Sequence, residues 1–293
     1  MSSALRRVAQ TASILKGRAL GSVTNGSKYT KNFVQYLELP NGEIGSYFHD
    51  VPLALDAEHR TINMVVEVPR WSNGKFEVSK EKDYNPIVQD VKDGQVRFVH
   101  NIFPFHGYIH NYGSIPQTWE DPLVKSTHPG VQGLKGDNDP LDCCEIGSQI
   151  LEMGQVRKVK VLGSLAMIDD GELDWKVIVI DAEDPLSKQV NSLKDVETHF
   201  PNLLSSTREW FRNYKIPAGK PPNTFAYGGA YRDFPETLSI IQGCHDSWKR
   251  LLFMENQNSK TPNAKRAGKG LVIKPDHAPD STIDPENDKW YYI

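Results

Sequence analysis

Cysteine is scarce in this chain of 293 residues, with only Cys143, Cys144 and Cys244. An adjacent pair and one distant residue give neither CxxC spacing nor a disulfide framework, which points to a reducing compartment. Positive charge is not in excess either. The formal net charge is −3 at pH 7, whereas nucleic-acid binding normally needs a basic face, so no nucleic-acid partner is expected. No apolar run approaches the roughly 20 residues that span a bilayer, so no membrane role is expected. GxxxxGK[ST], GxGxxG after a strand and GxSxG are all absent, which removes a P-loop, a dinucleotide fingerprint and a nucleophile elbow.

Acidic residues are also missing from positions 1–37, which carry Arg6, Arg7, Lys16, Arg18, Lys28 and Lys31 among Ser, Ala and Thr. That composition fits a mitochondrial transit peptide or a basic leader on a cytosolic protein. The first expectation is the cytoplasm, with the mitochondrial matrix as the alternative if residues 1–25 are a cleaved leader. Residues 26–255 then form one domain. Residues 256–293, rich in proline and asparagine, read as an extended tail whose Trp290, Tyr291 and Tyr292 anchor it to the body or to a partner.

Hydrophobic residues at 38% and charged residues at 24% suit an ordinary globular domain. Periodicity predicts strands at Phe33–Leu39, Asn63–Val68, Arg97–Ile102, Val156–Ile168 and Trp175–Ile180, with turns at Asn41-Gly42, Asn73-Gly74 and Asp93-Gly94. Short strands with long loops suggest a closed or nearly closed barrel. Helices are predicted from a Ser192 cap to His199, from Pro201 to about Tyr214, and from Pro235 onward with a stripe of Leu238, Ile241, His245, Trp248 and Leu252.

The most informative stretch is Asp137-Asn138-Asp139-Pro140-Leu141-Asp142, three carboxylates in six positions with no intervening Lys or Arg. Two bare carboxylates about 4 Å apart repel by roughly 4 kcal/mol at an effective dielectric near 20. Something positive must sit among them, and a hard divalent cation such as Mg2+ accepts oxygen ligands. An EF-hand is excluded, because its sixth and twelfth positions counted from Asp137 are Asp142 and Ser148 rather than Gly and Glu. His106 and His110 have zinc-pair spacing, but Pro104 and Gly107 argue against the helix that such a pair needs. They read as structural histidines.

Two further groups repeat one pattern. Asp174-Trp175-Lys176 follows the turn Asp169-Asp170-Gly171-Glu172, and Lys75-Phe76-Glu77 follows Asn73-Gly74. Residues two apart on a strand share a face, so each pair sets an acid beside a lysine. This suits a site for cations and a polyanion together, with Arg97, Tyr108, Tyr112, Tyr214 and Lys215 as further candidates for phosphate oxygens.

These residues carry a resemblance. Asp137 to Asp142 matches the D-x-D-P-x-D motif of the family I soluble inorganic pyrophosphatases. The segments Met64–Trp71, His106–Gly113, Pro116–Pro122, Asp174–Ile178 and Trp210–Lys215 are similar to the eukaryotic branch, over about Gly26 to the C-terminus. Asp170, Leu173 and Gly74 depart from its usual Glu, Thr and Ala. The resemblance implies a mainly β fold with flanking helices (α+β), a five-stranded OB-like closed barrel, and Mg2+-dependent hydrolysis of pyrophosphate to two orthophosphates without a covalent intermediate. It implies three to four Mg2+ ions, with Mn2+ or Co2+ as substitutes, held by Asp137, Asp142, Asp174, Glu77 and Asp169, and by Glu67 and Glu120 mostly through water. Asp139 would be the general base, oriented by Tyr108. Lys75, Arg97, Tyr112, Lys176, Tyr214 and Lys215 would bind phosphate, Arg97 counting also among the catalytic residues. Arg70, Trp71 and His106 match a dimer-contact region, which implies a homodimer.

Overall fold

The computed structural model describes residues 20–254, 261–264, 266 and 271–293. Most of the leader read at 1–25 lies outside these residues. Its last part does not stand apart from the body: Gly21–Gly26 is a strand, antiparallel to Val34–Glu38 and parallel to Asp276–His277. The body therefore begins about five residues earlier than composition suggested.

Two six-stranded sheets carry the fold. The larger runs in the order Glu172–Asp181, Asp142–Glu145, Asn111–Ser114, Thr61–Val68, Val156–Asp169, Thr224–Phe225, and Val156–Asp169 also pairs with Glu172–Asp181. Its strands alternate between two apolar clusters. Val177 and Val179 join Ile62, Met64 and Val161, while Ile178 and Ile180 join Val65, Leu162 and the helix residues Val196, Trp210 and Trp248. Burial on both faces explains why these strands read as nearly continuous apolar runs. The architecture is mainly β with few helices.

The helices begin where capping chemistry puts them. Ser192 accepts a hydrogen bond from the Asp195 amide and starts Leu193–His199. Asp233 accepts from the Glu236 amide ahead of Phe234–Phe253, with Pro235 in the first turn. The middle helix is Leu203–Asn213, two residues later than Pro201 suggested, because Asn202 takes a left-handed conformation at its cap. The buried stripe of the long helix is Thr237, Ile240, Ile241, Ser247, Trp248 and Leu251. It is rotated from the predicted one, leaving Leu238, His245 and Leu252 half-buried.

Arg97–Ile102 is not a single strand. Asp93-Gly94 turns a small hairpin, Val91–Lys92 against Gln95–Val96, and the chain resumes pairing at Asn101–Ile102. The histidines read as structural behave so: buried His110 bonds Thr207 Oγ1 at 2.7 Å, and His106 lies 3.0 Å from the Trp71 carbonyl. The tail docks on the body, with Trp290–Tyr291 parallel to Asn101–Ile102 and the Phe103 amide donating to the Tyr291 carbonyl at 2.9 Å.

Gly113 lies where Asn111–Ser114 crosses Thr61–Val68 and the register shifts. A Cβ there would sit 1.9 Å from the Val65 carbonyl oxygen. A backbone atom held by a sheet cannot retreat cheaply. Gly113→Ala should cost about 3 kcal/mol, a fall in Tm of roughly 6–12 °C for a chain this size. Thermal denaturation checks it, and an unchanged Tm would contradict the close approach.

Candidate active site

Strand register delivers the acidic residues to one cavity. In the parallel pair, Asp142 stands opposite Lys176, and in the hairpin Asp169 stands opposite Glu172 across Asp170-Gly171. The turn residues have φ of +48° and +91°, the left-handed values that a tight hairpin turn requires. Glu67 arrives on the neighbouring strand, where its Oε1 accepts from the Val78 amide at 3.0 Å and from Ser114 Oγ at 2.9 Å. Helix Leu203–Asn213 sets Phe211 against the opening, with Tyr214 and Lys215 just beyond it.

The resulting cavity has a volume of about 210 Å³. It is lined by Glu67, Glu77, Asp137, Asp139, Asp142, Asp169, Glu172 and Asp174, and by the cationic Lys75, Arg97, Lys176 and Lys215. Tyr108, Tyr112 and Tyr214 complete the wall. All the candidate residues from sequence meet here except Glu120, which lines an adjacent cavity behind it. Glu120 is nevertheless close: its carboxylate, Asp137 and Asp174 each offer an oxygen within 4.8 Å of the others. A larger cavity of about 320 Å³ between Trp119, Trp175 and the long helix is more apolar and shares only Glu120 with the acidic cluster.

Eight carboxylates and four cations leave the lining strongly negative. The cations are already engaged. Lys176 Nζ lies 2.5 Å from Asp142 Oδ2 and 2.6 Å from Asp174 Oδ1, and donates to the Tyr112 hydroxyl at 2.9 Å. Lys215 pairs with Asp169, Lys75 pairs with Glu77, and Arg97 holds Asp90 at 3.0 Å. The Tyr112 hydroxyl donates to Asp142. Asp142 is therefore taken up by Lys176 and Tyr112, while Glu120, Asp137 and Asp174 converge with Lys176, on Asp174, as the one cation the described residues pair with any of the three.

Burial and mutual repulsion show in the protonation equilibria. Desolvation, aided by the Asp142 charge, pushes Glu67 up to about 8. Desolvation raises Asp174 to about 7 against the opposing pull of Lys176. Glu120 and Asp137 rise well above the carboxylate range, chiefly through burial and then through neighbouring acids. Desolvation raises Asp139 too, with Lys80 pulling the other way. Glu120 Oε2 is buried and has no hydrogen-bond partner among the described residues. An orphaned carboxylate oxygen beside two more carboxylates is a donor set for a hard divalent cation, and the residues present fit one.

Sequence reasoning missed two members. Glu172 was legible, since a two-residue turn after Asp169 sets it directly across the hairpin. Lys80 was not: its Nζ lies 2.6 Å from Asp139 Oδ1 across 59 residues of sequence. Tyr108 shares the cavity, but among the described residues no hydrogen bond joins it to Asp139, whose side-chain partner is Lys80.

Comparison with known proteins gives the family. The profile of the family described as inorganic pyrophosphatase matches residues 64–249. The chain belongs to the inorganic pyrophosphatase family. It is accordingly an enzyme of the diphosphatase class. The mitochondrial inorganic pyrophosphatase of Saccharomyces cerevisiae is 56% identical over 295 residues, covering 99% of this chain and 95% of that one. The inorganic pyrophosphatase of Candida albicans is 48% identical over 279 residues, covering 92% and 96%. Among solved structures, the inorganic pyrophosphatase of Schistosoma japonicum superposes with a TM-score of 0.85 at 41% identity, covering 93% of this chain and all of that one. A truncated vacuolar soluble pyrophosphatase of Trypanosoma cruzi, solved with PPi, gives 0.73 at 35% identity, covering 81% and 93%. Family I, soluble type, is the branch these neighbours represent.

The raised carboxylates have a thermodynamic consequence. Unperturbed Asp and Glu titrate near 3.9 and 4.3. Where the folded pKa is raised, the folded state holds protons that the unfolded chain has released, so stability falls as pH rises from about 4 through the folded values of about 7 and 8. Burial lowers His49 and His110 to about 3, with the opposite sign, so they lose stability only as pH falls below about 6.5. In EDTA, Tm should therefore decline from pH 7 to 8.5, and Mg2+ should raise it more at the higher pH. Scanning fluorimetry at both values checks this, and an EDTA Tm that climbs with pH contradicts it.

Proposed function

We propose that this protein hydrolyses inorganic pyrophosphate to two orthophosphates with Mg2+ as its metal. The observation that carries the reading is one cavity holding eight carboxylates together with lysine, arginine and tyrosine donors, two of those acids, Asp137 and Asp174, converging with Glu120 at its edge. A diphosphate complexed with divalent cations needs both kinds of partner. The Trypanosoma cruzi relative solved with PPi supports the same substrate.

Glu120, Asp137 and Asp174 would hold one ion; Asp142, Glu77, Asp169 and Glu67 would serve others, three to four in all with substrate, and Mn2+ or Co2+ would substitute. Held there, Mg2+ would supply Lewis-acid activation of water and charge neutralisation of phosphate oxygens. The chain does the rest by position. Asp139 lines the cavity as proton acceptor for the attacking water. The water oxygen ends on one phosphorus, the bond from that phosphorus to the bridging oxygen breaks, and the second phosphate leaves with the bridging oxygen. Lys75, Arg97, Lys176 and Lys215 offset the charge on both products, and Tyr112 and Tyr214 donate hydrogen bonds without adding charge. No side chain forms a phosphoryl bond. The five strands of the larger sheet that pair in a ring support the small OB-like closed barrel as the scaffold.

The leader composition and the mitochondrial relative support the matrix over the cytoplasm, with the catalytic domain running from about Gly21 to residue 255 and 256–293 as tail. A homodimer is supported by exposed aromatics on one face, Trp71, Phe103 and Trp290, with Phe103 and Trp290 rings 6.4 Å apart.

Phosphate release from pyrophosphate should be strong with Mg2+, abolished by EDTA, and reduced about 10²–10⁴-fold by Asp139→Ala, the range for a lost general base. Comparable turnover by the variant would remove Asp139 from that role, and equal turnover of ATP would broaden the substrate. Fractionating cells that express the untagged chain should recover it with the matrix, at about twice the chain mass by sedimentation. A cytosolic monomer would refute both statements.

A further inference from the structure

Lys80 stands just past strand Phe76–Val78, two residues after Val78. It is not among the residues that line the cavity, yet its ammonium reaches Asp139 Oδ1 at 2.6 Å. Lys75, Lys176 and Lys215 line the cavity and can exchange an acid for a phosphate oxygen. Lys80 does not line it, and its ion-pair partner is the carboxylate itself.

The segment bearing Lys80 is fastened from a distant part of the chain. The Asn263 amide donates to the Lys80 carbonyl at 2.6 Å. Asn263 Nδ2 donates to the Glu81 carbonyl at 3.2 Å and to Asp83 Oδ1 at 2.9 Å. The Asn263 carbonyl accepts from Asn85 Nδ2 at 3.0 Å and lies 2.9 Å from His49 Nε2. Asn85 is fully buried, donates to the Ser79 carbonyl at 3.0 Å and accepts from Ser46 Oγ at 2.7 Å. Neighbouring Pro262 is buried. One asparagine of the C-terminal tail thus ties down residues 80, 81, 83 and 85 together.

We propose that Lys80 is a positioning residue for Asp139, and that the C-terminal tail, through Asn263, fixes Lys80 where it can act. This rests on the reading of Asp139 as proton acceptor. The terminal torsion of an aspartate is broad. A cation on Oδ1 pins the plane of the carboxylate and leaves Oδ2 free for the cavity. Proton abstraction needs the acceptor within about 2.6–3.2 Å of the donor oxygen, and a misplacement of about 1 Å costs up to about 10²-fold. The tail therefore contributes to turnover without touching substrate.

Steady-state kinetics on the full chain with saturating Mg2+ tests this. Lys80→Met should lower kcat about 10–100-fold with KM held within about threefold. Lys80→Arg, which keeps a cation on Oδ1, should recover most of the loss. Asn263→Pro, which removes the amide that holds the Lys80 carbonyl as well as the side chain, should lower kcat about 3–10-fold, again with little change in KM. In the Asp139→Asn background, Lys80→Met should cause no further loss, because its effect runs through the missing carboxylate. A rise in KM at constant kcat would make Lys80 a phosphate ligand, and additive losses in the double variant would make it act elsewhere; either result overturns the proposal. Wild-type kcat in Asn263→Pro would remove the tail from it. Full activity in Asp139→Asn alone would instead defeat the proton-acceptor reading, and this inference with it. Thermal midpoints within roughly 2 °C of wild type exclude general unfolding at a partly exposed site.

Discussion

Everything at this site follows from carboxylates crowded out of water. Buried acids near one another cannot all ionise without counter-charge, since each close pair adds roughly 4 kcal/mol of repulsion at an effective dielectric near 20. The chain answers with lysines at Asp142, Asp174, Asp169 and Glu77, and leaves Glu120, Asp137 and Asp174 converging without enough. That deficit is the chemical specification of the site. It asks for small, hard, doubly charged ions, and the lysines that remain then face a tetra-anionic substrate.

Secondary structure supplies the precision. Asp142 and Lys176 sit in register on adjacent parallel strands, so their separation is set by backbone pairing. The strand period of two puts Asp174 and Lys176 on one side while Trp175 packs behind them with Tyr227 and His128. The Trp175 amide donates to Glu120 Oε1 at 3.1 Å, which turns the other oxygen of that carboxylate toward its neighbours. A one-residue slip of Glu172–Asp181 would put Leu173, Trp175 and Val177 where Asp174 and Lys176 face the cavity.

Much of this was legible in sequence because the chemistry is local. Alternating acid and lysine after a turn, and three aspartates around a proline, announce themselves along the chain, as do the Ser192 and Asp233 caps. Glu172 was within reach by the same logic. What stayed hidden depends on three-dimensional closure. The Lys80–Asp139 pair and the Asn263 tether join segments whose proximity no periodicity encodes. Arg97–Ile102 read as a strand from its periodicity, but its pairing is split between a bridge from Phe98 to Gly74 and the ladder of Asn101–Ile102 with the tail. The start of the body was misjudged because the partners of Gly21–Gly26 include a strand 250 residues away.

The choice of lysine over arginine around the acids has its own logic. An ammonium is a compact point charge with three rotatable donors, able to serve one carboxylate and one phosphate oxygen in turn. Lys176 illustrates this, since its Nζ meets Asp142, Asp174 and the Tyr112 hydroxyl at once while lying 5.4 Å from the centres of the Tyr112 and Phe211 rings. Those ring faces favour a cation and exclude water on the remaining side. Arg97 is different: its planar guanidinium is fixed by Asp90, which also pairs with Lys75 at 3.4 Å. The site thus combines an arginine held by an acid outside the cavity lining with lysines that each pair with an acid inside it, so the compact ammonium groups stand where the carboxylates are densest.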